Sequence, residues 1–232
     1  LMKLVAFLIH GFTASGMIAV LLSLDAIWQG NAQLAMLWLW AALLIDGLDG
    51  PLARWAKVSE RLPHIDGAIL DHVIDYMSYC VLPAVMIYRF GLVPEGFELP
   101  IAGLILVASL YVFANRDLKT AENDFRGFPA LWNIVVFYLI VFDTPDMLNA
   151  ALCVFLSLMI FAPILVVHPF RVVALRPYTI FASIVWLSLS LAYLLVPNLT
   201  QNLMANLGFA LASLYFAVLC LWRSLRLPLG KL

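Results

Sequence analysis

This sequence is short of charge. Asp, Glu, Lys and Arg together make up 12% of its 232 residues, and the formal net charge is −1. Soluble domains carry about a quarter charged residues. With 65% hydrophobic residues and a mean hydropathy of +1.01, a soluble chain would lack the polar surface to cover itself. The near-neutral balance also removes the basic footprint on which nucleic-acid binding depends. Cysteine is scarce too: Cys80, Cys153 and Cys220 stand apart in apolar stretches, with no CxxC pair and no Cys/His cluster. That excludes a disulfide scaffold and a cysteine zinc site, and leaves three small buried hydrophobes. The histidines, His10, His64, His72 and His168, show no metal-ligand spacing. No linker, low-complexity tract or repeat divides the chain, which reads as a single membrane domain over residues 1–232.

What the sequence has in quantity is long apolar runs. Eight candidate spans lie at about 4–26, 32–54, 68–89, 98–115, 129–142, 147–167, 177–196 and 202–222, separated by polar or Pro/Gly punctuation. The first is long enough to cross a bilayer and lacks a small-residue cleavage site, so it is expected to be a span and not a signal peptide. An all-α membrane protein of about eight helices follows. The basic residues support the partition. Lys3, Arg54, Lys57, Arg61, Arg116, Lys119, Arg126, Arg171, Arg176, Arg223, Arg226 and Lys231 all fall on one side, and only Arg89 falls on the other. The opposite loops carry Glu95, Glu98, Asp143 and Asp146. The positive-inside rule then places both termini in the cytoplasm.

Against this apolar background, four aspartates stand out. Asp46 and Asp49 lie near the end of the second span, and Asp71 and Asp75 near the start of the third. An ionised Asp at the centre of a membrane helix costs about 2.5–3.5 kcal/mol on insertion scales. Such residues persist where they are paired, solvated or bound to a cation. Separations of three and four residues put each pair on one helix face. If those faces meet, four carboxylates converge, and their repulsion calls for divalent cations between them. Oxygen-only ligands suit Mg²⁺, Mn²⁺ or Ca²⁺. Two such ions about 4 Å apart can clamp a phosphoryl group for in-line displacement. Gly50 and Gly67 leave backbone open to a ligand, and Arg54, about 12 Å along the helix from Asp46, suits a phosphate. Taken singly, each residue has a plainer reading: a helix cap, a topology anchor, a helix start. The ordered set does not.

Asp46, Asp49, Gly50, Ala53, Arg54, Gly67, Asp71 and Asp75 together resemble the signature of the CDP-alcohol phosphotransferases, Asp-x₂-Asp-Gly-x₂-Ala-Arg followed by Gly-x₃-Asp-x₃-Asp. The spacer at residues 55–66 is longer than the family's usual one. That spacer, the Gly11–Gly16 stretch and the Asn123–Asn133 stretch are similar to the bacterial branch that joins CDP-diacylglycerol to choline. The resemblance implies two divalent ions, Mn²⁺ or Mg²⁺, held by Asp46, Asp49, Asp71 and Asp75. It implies a CDP site lined by Asp46, Gly50, Ala53, Arg54, Gly67 and Asp71, with Asp75 also the general base. It implies a homodimer in the bacterial inner membrane.

Choline has a permanent charge and no N–H, so aromatic faces with a carboxylate nearby should bind it. Tyr79, Glu122, Asp124 and Trp132 are the candidates. An acceptor such as inositol phosphate, glycerol phosphate or serine remains open within the family. A divalent-cation transporter would account for the aspartates but not for Gly50, Ala53 and Arg54 at their fixed positions.

Overall fold

The structure, a computed structural model, describes residues 2–115, 125–167 and 175–226. Its first two helices form an antiparallel hairpin. Helix α1 (Met2–Trp28) is followed by a turn at Gly30, whose φ of +76° permits the tight reversal. Asn31 then caps α2 (Ala32–Trp55) by accepting a hydrogen bond from the Leu34 N–H at 2.9 Å. Ser23 on α1 donates to the Ala35 carbonyl of α2 at 3.0 Å, so a buried polar group ties the two helices where small residues meet.

The long spacer at residues 55–66 is folded. It contains the short helix α3 (Val58–Arg61), and Ala56, Val58 and Leu62 bury against Ala6 and Ile9 of α1. Arg61 holds this segment by donating to the Ala56 carbonyl. Asp66 then caps α4 (Gly67–Asp75), accepting from the Ala68 and Ile69 N–H groups. The helix does not stop at Asp75. It widens into a π-helical turn over Tyr76–Val81 and resumes as α5 (Leu82–Phe90), forming one 24-residue apolar span.

The remaining helices are α6 (Glu98–Ala114), α7 (Trp132–Val141), α8 (Asp146–Met159), α9 (Arg176–Leu195) and α10 (Leu203–Arg226). Phe7, Ile18, Leu21 and Leu211 are each about 60% exposed or more, the outward apolar surface of an integral membrane protein. Within the bundle, Tyr138 of α7 joins Ser213 of α10 and Trp186 of α9 by hydrogen bonds of 2.6 and 3.0 Å.

Eight apolar segments are present among the described residues, but only five are helices long enough to cross a membrane. The 10 residues of α7 rise about 15 Å, half the hydrocarbon thickness. The expected span over 147–167 also ends early, at Met159. Beyond it, turns lead into β2 (Leu165–Val166), which pairs antiparallel with β1 (Phe125–Arg126). Non-helical backbone in such a protein must have its polar groups satisfied within the fold. Here the Leu165 N–H donates to Ser224 Oγ at 2.8 Å, the Gly127 N–H to the Ile164 carbonyl at 2.8 Å, and the Phe128 N–H to the Met159 carbonyl at 2.9 Å.

Gly127 makes that crossing fit. Its φ is +79°, and a Cβ there would lie 2.1 Å from the Ile160 carbonyl oxygen. Gly127→Ala is expected to destabilise the fold by about 3 kcal/mol or more, read as a lower thermal midpoint in detergent micelles. Gly103→Ala is the control. A Cβ at Gly103 meets nothing within 4 Å, and helix propensity favours Ala there.

Candidate active site

Helices α1, α2 and α4 position the acidic residues. Asp46 and Asp49 occupy neighbouring positions on one face of α2, one turn apart. Pro51, inside the same helix, offers no N–H to the carbonyl of Gly47 four residues earlier. Across from them, α4 presents Asp71 on its second turn. Carboxylate oxygens of Asp46, Asp49 and Asp71 all lie within 4.8 Å of one another. Asp49 is only 6% exposed, whereas Asp46 and Asp71 are partly open.

Three of the four signature aspartates meet at that distance. Asp75 is not a member of the converging group. It closes α4 one turn beyond Asp71, displaced about 6 Å along the axis and about 40° around it. Asp75 remains partly exposed on the same span.

Small residues allow the helices to meet. A Cβ on Gly16 of α1 would sit 3.0 Å from Ile74 Cγ2, and one on Gly67 would sit 2.9 Å from His10 Cε1. These two glycines therefore admit α1 against α4 at two levels. Thr13, between His10 and Gly16 on α1, is buried and hydrogen-bonded to Asp49. Neither Thr13 nor His10 has a site role in the sequence reading. The available signal is Thr13's place within the Gly11–Gly16 stretch, one polar residue flanked by small ones in a long apolar run.

The other signature residues lie around the carboxylates. Arg54 is exposed and turns back along α2, so that a Cβ on Gly50 would be 3.2 Å from its Nη1. Gly50 thus leaves room for the guanidinium. Ala53 packs on the Ala6, Ile9, Ala56, Val58 and Leu62 cluster, which seats this end of α2 on α1. His72 faces away from the carboxylates, edge-to-face with Phe113 of α6 at 6.1 Å between ring centroids.

The choline candidates fare unequally. Tyr79, on the π turn, is 6% exposed and its hydroxyl donates to Asp46 Oδ2. Trp132 is completely buried, its indole N–H donating to Ser109 Oγ at 2.9 Å and its ring edge-to-face with Phe128. At 0% exposure it has no face open to a ligand. Glu122 and Asp124 lie outside the described residues.

The donor set fits a hard divalent cation. It consists of carboxylate oxygens alone, close enough to share an ion and without a histidine or thiolate among them. The Arg54 guanidinium lies near enough to act on Asp49 electrostatically, and Asp75 follows one turn beyond Asp71. Such a set can hold cations that bind a phosphate, and a carboxylate beside them can accept a proton.

Known proteins resemble this chain over most of its length. Residues 7–222 match the family model for CDP-alcohol phosphatidyltransferase. The chain is 44% identical over 218 residues to the phosphatidylcholine synthase of Pseudomonas aeruginosa, covering 94% of this chain and 91% of that protein. It is 38% identical over 213 residues to the phosphatidylcholine synthase of Agrobacterium fabrum (90% and 87% covered) and 41% identical over 192 residues to that of Rhizobium meliloti (82% and 79%). The chain belongs to the CDP-alcohol phosphatidyltransferase family.

Proposed function

We propose that this chain transfers the phosphatidyl group of CDP-diacylglycerol to choline, giving phosphatidylcholine and CMP. The observation that carries the reaction type is the convergence of Asp46, Asp49 and Asp71 at signature positions, with Arg54 folded over Gly50 beside them. The choice of choline rests on the relatives that bear the name phosphatidylcholine synthase and match most of the chain.

Asp46, Asp49 and Asp71, with Asp75 one turn deeper, would hold two divalent ions, Mn²⁺ or Mg²⁺, which when bound supply charge neutralisation at the pyrophosphate. Arg54 binds a phosphate oxygen and, with Gly50, Ala53 and Gly67, marks the side from which CDP approaches. Asp75 accepts the proton of the choline hydroxyl as that oxygen attacks the phosphorus bearing diacylglycerol. An alcohol is a poor nucleophile near pH 7, so a carboxylate within hydrogen-bond reach lowers the barrier. The P–O bond to CMP breaks as the new ester forms. The carboxylates lie partway along α2 and α4, so a lipid pyrophosphate reaches them while its acyl chains stay in the bilayer. The chain acts as a single membrane domain, with signature 46–75, in a bacterial inner membrane. Both termini face the cytoplasm, and it works as a homodimer.

The test uses purified protein in detergent–lipid micelles with CDP-diacylglycerol, Mn²⁺ or Mg²⁺, and labelled choline. Phosphatidylcholine and CMP are expected in equal amounts, abolished by chelator. CMP released only with inositol phosphate, glycerol phosphate or serine would keep the family chemistry and overturn the choline acceptor.

A further inference from the structure

The π turn at Tyr76–Val81 lies immediately after Asp75, inside the span that carries two signature aspartates. Such turns are rare and collect at functional sites. Four α-helical residues drift about 40° around the axis, so in an unbroken α-helix Asp71, Asp75 and Tyr79 would wind progressively off one face. A wider turn takes fewer degrees per residue and cancels the second drift. Tyr79 therefore returns toward the α2 side, where its buried hydroxyl donates to Asp46 Oδ2. The turn is fixed from outside as well. Tyr76, three residues earlier, donates from its hydroxyl to the Leu106 carbonyl of α6 at 3.1 Å and packs edge-to-face on Phe113.

We propose that Tyr79 is a positioning residue for the divalent-cation site: its hydroxyl fixes the rotamer of Asp46, and the π turn exists to bring it there. This deepens the cation reading of the carboxylate group and replaces a direct contact of Tyr79 with choline. The chemistry is consistent. A carboxylate has two oxygens with about four acceptor positions, so a bond from Tyr79 leaves Asp46 able to ligate. The hydroxyl donor also offsets part of the cost of holding that anion beside Asp49 and Asp71. Tyr79 is too enclosed to offer its ring to a quaternary ammonium, being 6% exposed.

The experiment measures Mn²⁺ binding to the purified full chain without substrates, by Mn²⁺ electron paramagnetic resonance, alongside choline kinetics. Tyr79→Phe keeps the ring and removes the donor. It is expected to weaken Mn²⁺ binding roughly 10–100-fold, the usual effect of losing a partner that orients a metal ligand. The metal concentration giving half-maximal activity should rise in step, with KM for choline unchanged at saturating Mn²⁺. Tyr193→Phe, which removes a buried hydroxyl that donates to Asn206 of α10 and belongs to neither the turn nor the carboxylate group, is expected to leave Mn²⁺ affinity unchanged. Mn²⁺ affinity unaltered in Tyr79→Phe, or a raised KM for choline at saturating Mn²⁺, would overturn the proposal and return Tyr79 to the choline site. Wild-type protein that binds Mn²⁺ but makes no phosphatidylcholine would count against the choline reaction and leave the positioning role standing.

Discussion

Asn in place of Asp75 is expected to lower kcat by about 10³-fold while CMP still binds in the presence of Mn²⁺. The magnitude is that of losing a general base. The separation of effects follows from where Asp75 lies. It ends α4 one turn past Asp71 and is not among the three carboxylates whose oxygens converge within 4.8 Å. The amide has almost the same shape, so the helix can pass into the π turn as before. It cannot take a proton from an attacking hydroxyl. Thermal stabilisation by CMP plus Mn²⁺ reads the binding, and labelled choline at saturation reads kcat. CMP binding lost in proportion to turnover would make Asp75 a ligand alone and leave the choline hydroxyl without its base.

The aspartates were legible because a bilayer makes them so. Asp46, Asp49, Asp71 and Asp75 interrupt apolar runs at a cost no lipid-facing helix would bear, and their spacing assigns each pair to a face. The helices that carry them are capped by the side chains of Asn31 and Asp66, which accept from first-turn N–H groups. What pairwise spacing does not contain is the register between helices. It puts each pair on a face, and the structure brings three of the four aspartates within 4.8 Å of one another.

The π turn was hidden for a related reason. It is set by tertiary anchors, Tyr76 on Leu106 and Tyr79 on Asp46, that local sequence does not encode. Hydropathy likewise overextended the span at 147–167. An apolar stretch satisfied by strand pairing and by Ser224 looks the same, residue by residue, as one in a helix. Trp132 shows the same limit: beside a membrane boundary, an indole buried on Ser109 and one waiting for a cation read alike.

The carboxylate cluster should leave a signature in stability, opposite in sign with and without metal. Asp49 is the most buried of the three, at 6% exposure, and Asp46 and Asp71 have oxygens within 4.8 Å. Like charges at that distance repel by about 3 kcal/mol per pair at an effective dielectric near 20. Asp49→Asn removes one charge, and its amide oxygen can still accept the Thr13 hydrogen bond. Metal-free Asp49→Asn is therefore expected to melt a few degrees above metal-free wild type. Saturating Mn²⁺ should reverse the order. Binding to the folded state alone raises the wild-type midpoint, while the variant, short of one ligand, gains little and shows activity near the chelated background. Thermal scans of both proteins, with chelator and with Mn²⁺, check the crossing. A variant less stable than wild type under both conditions would assign Asp49 to the Thr13 contact between α1 and α2, and the cation would lose the repulsion that calls for it.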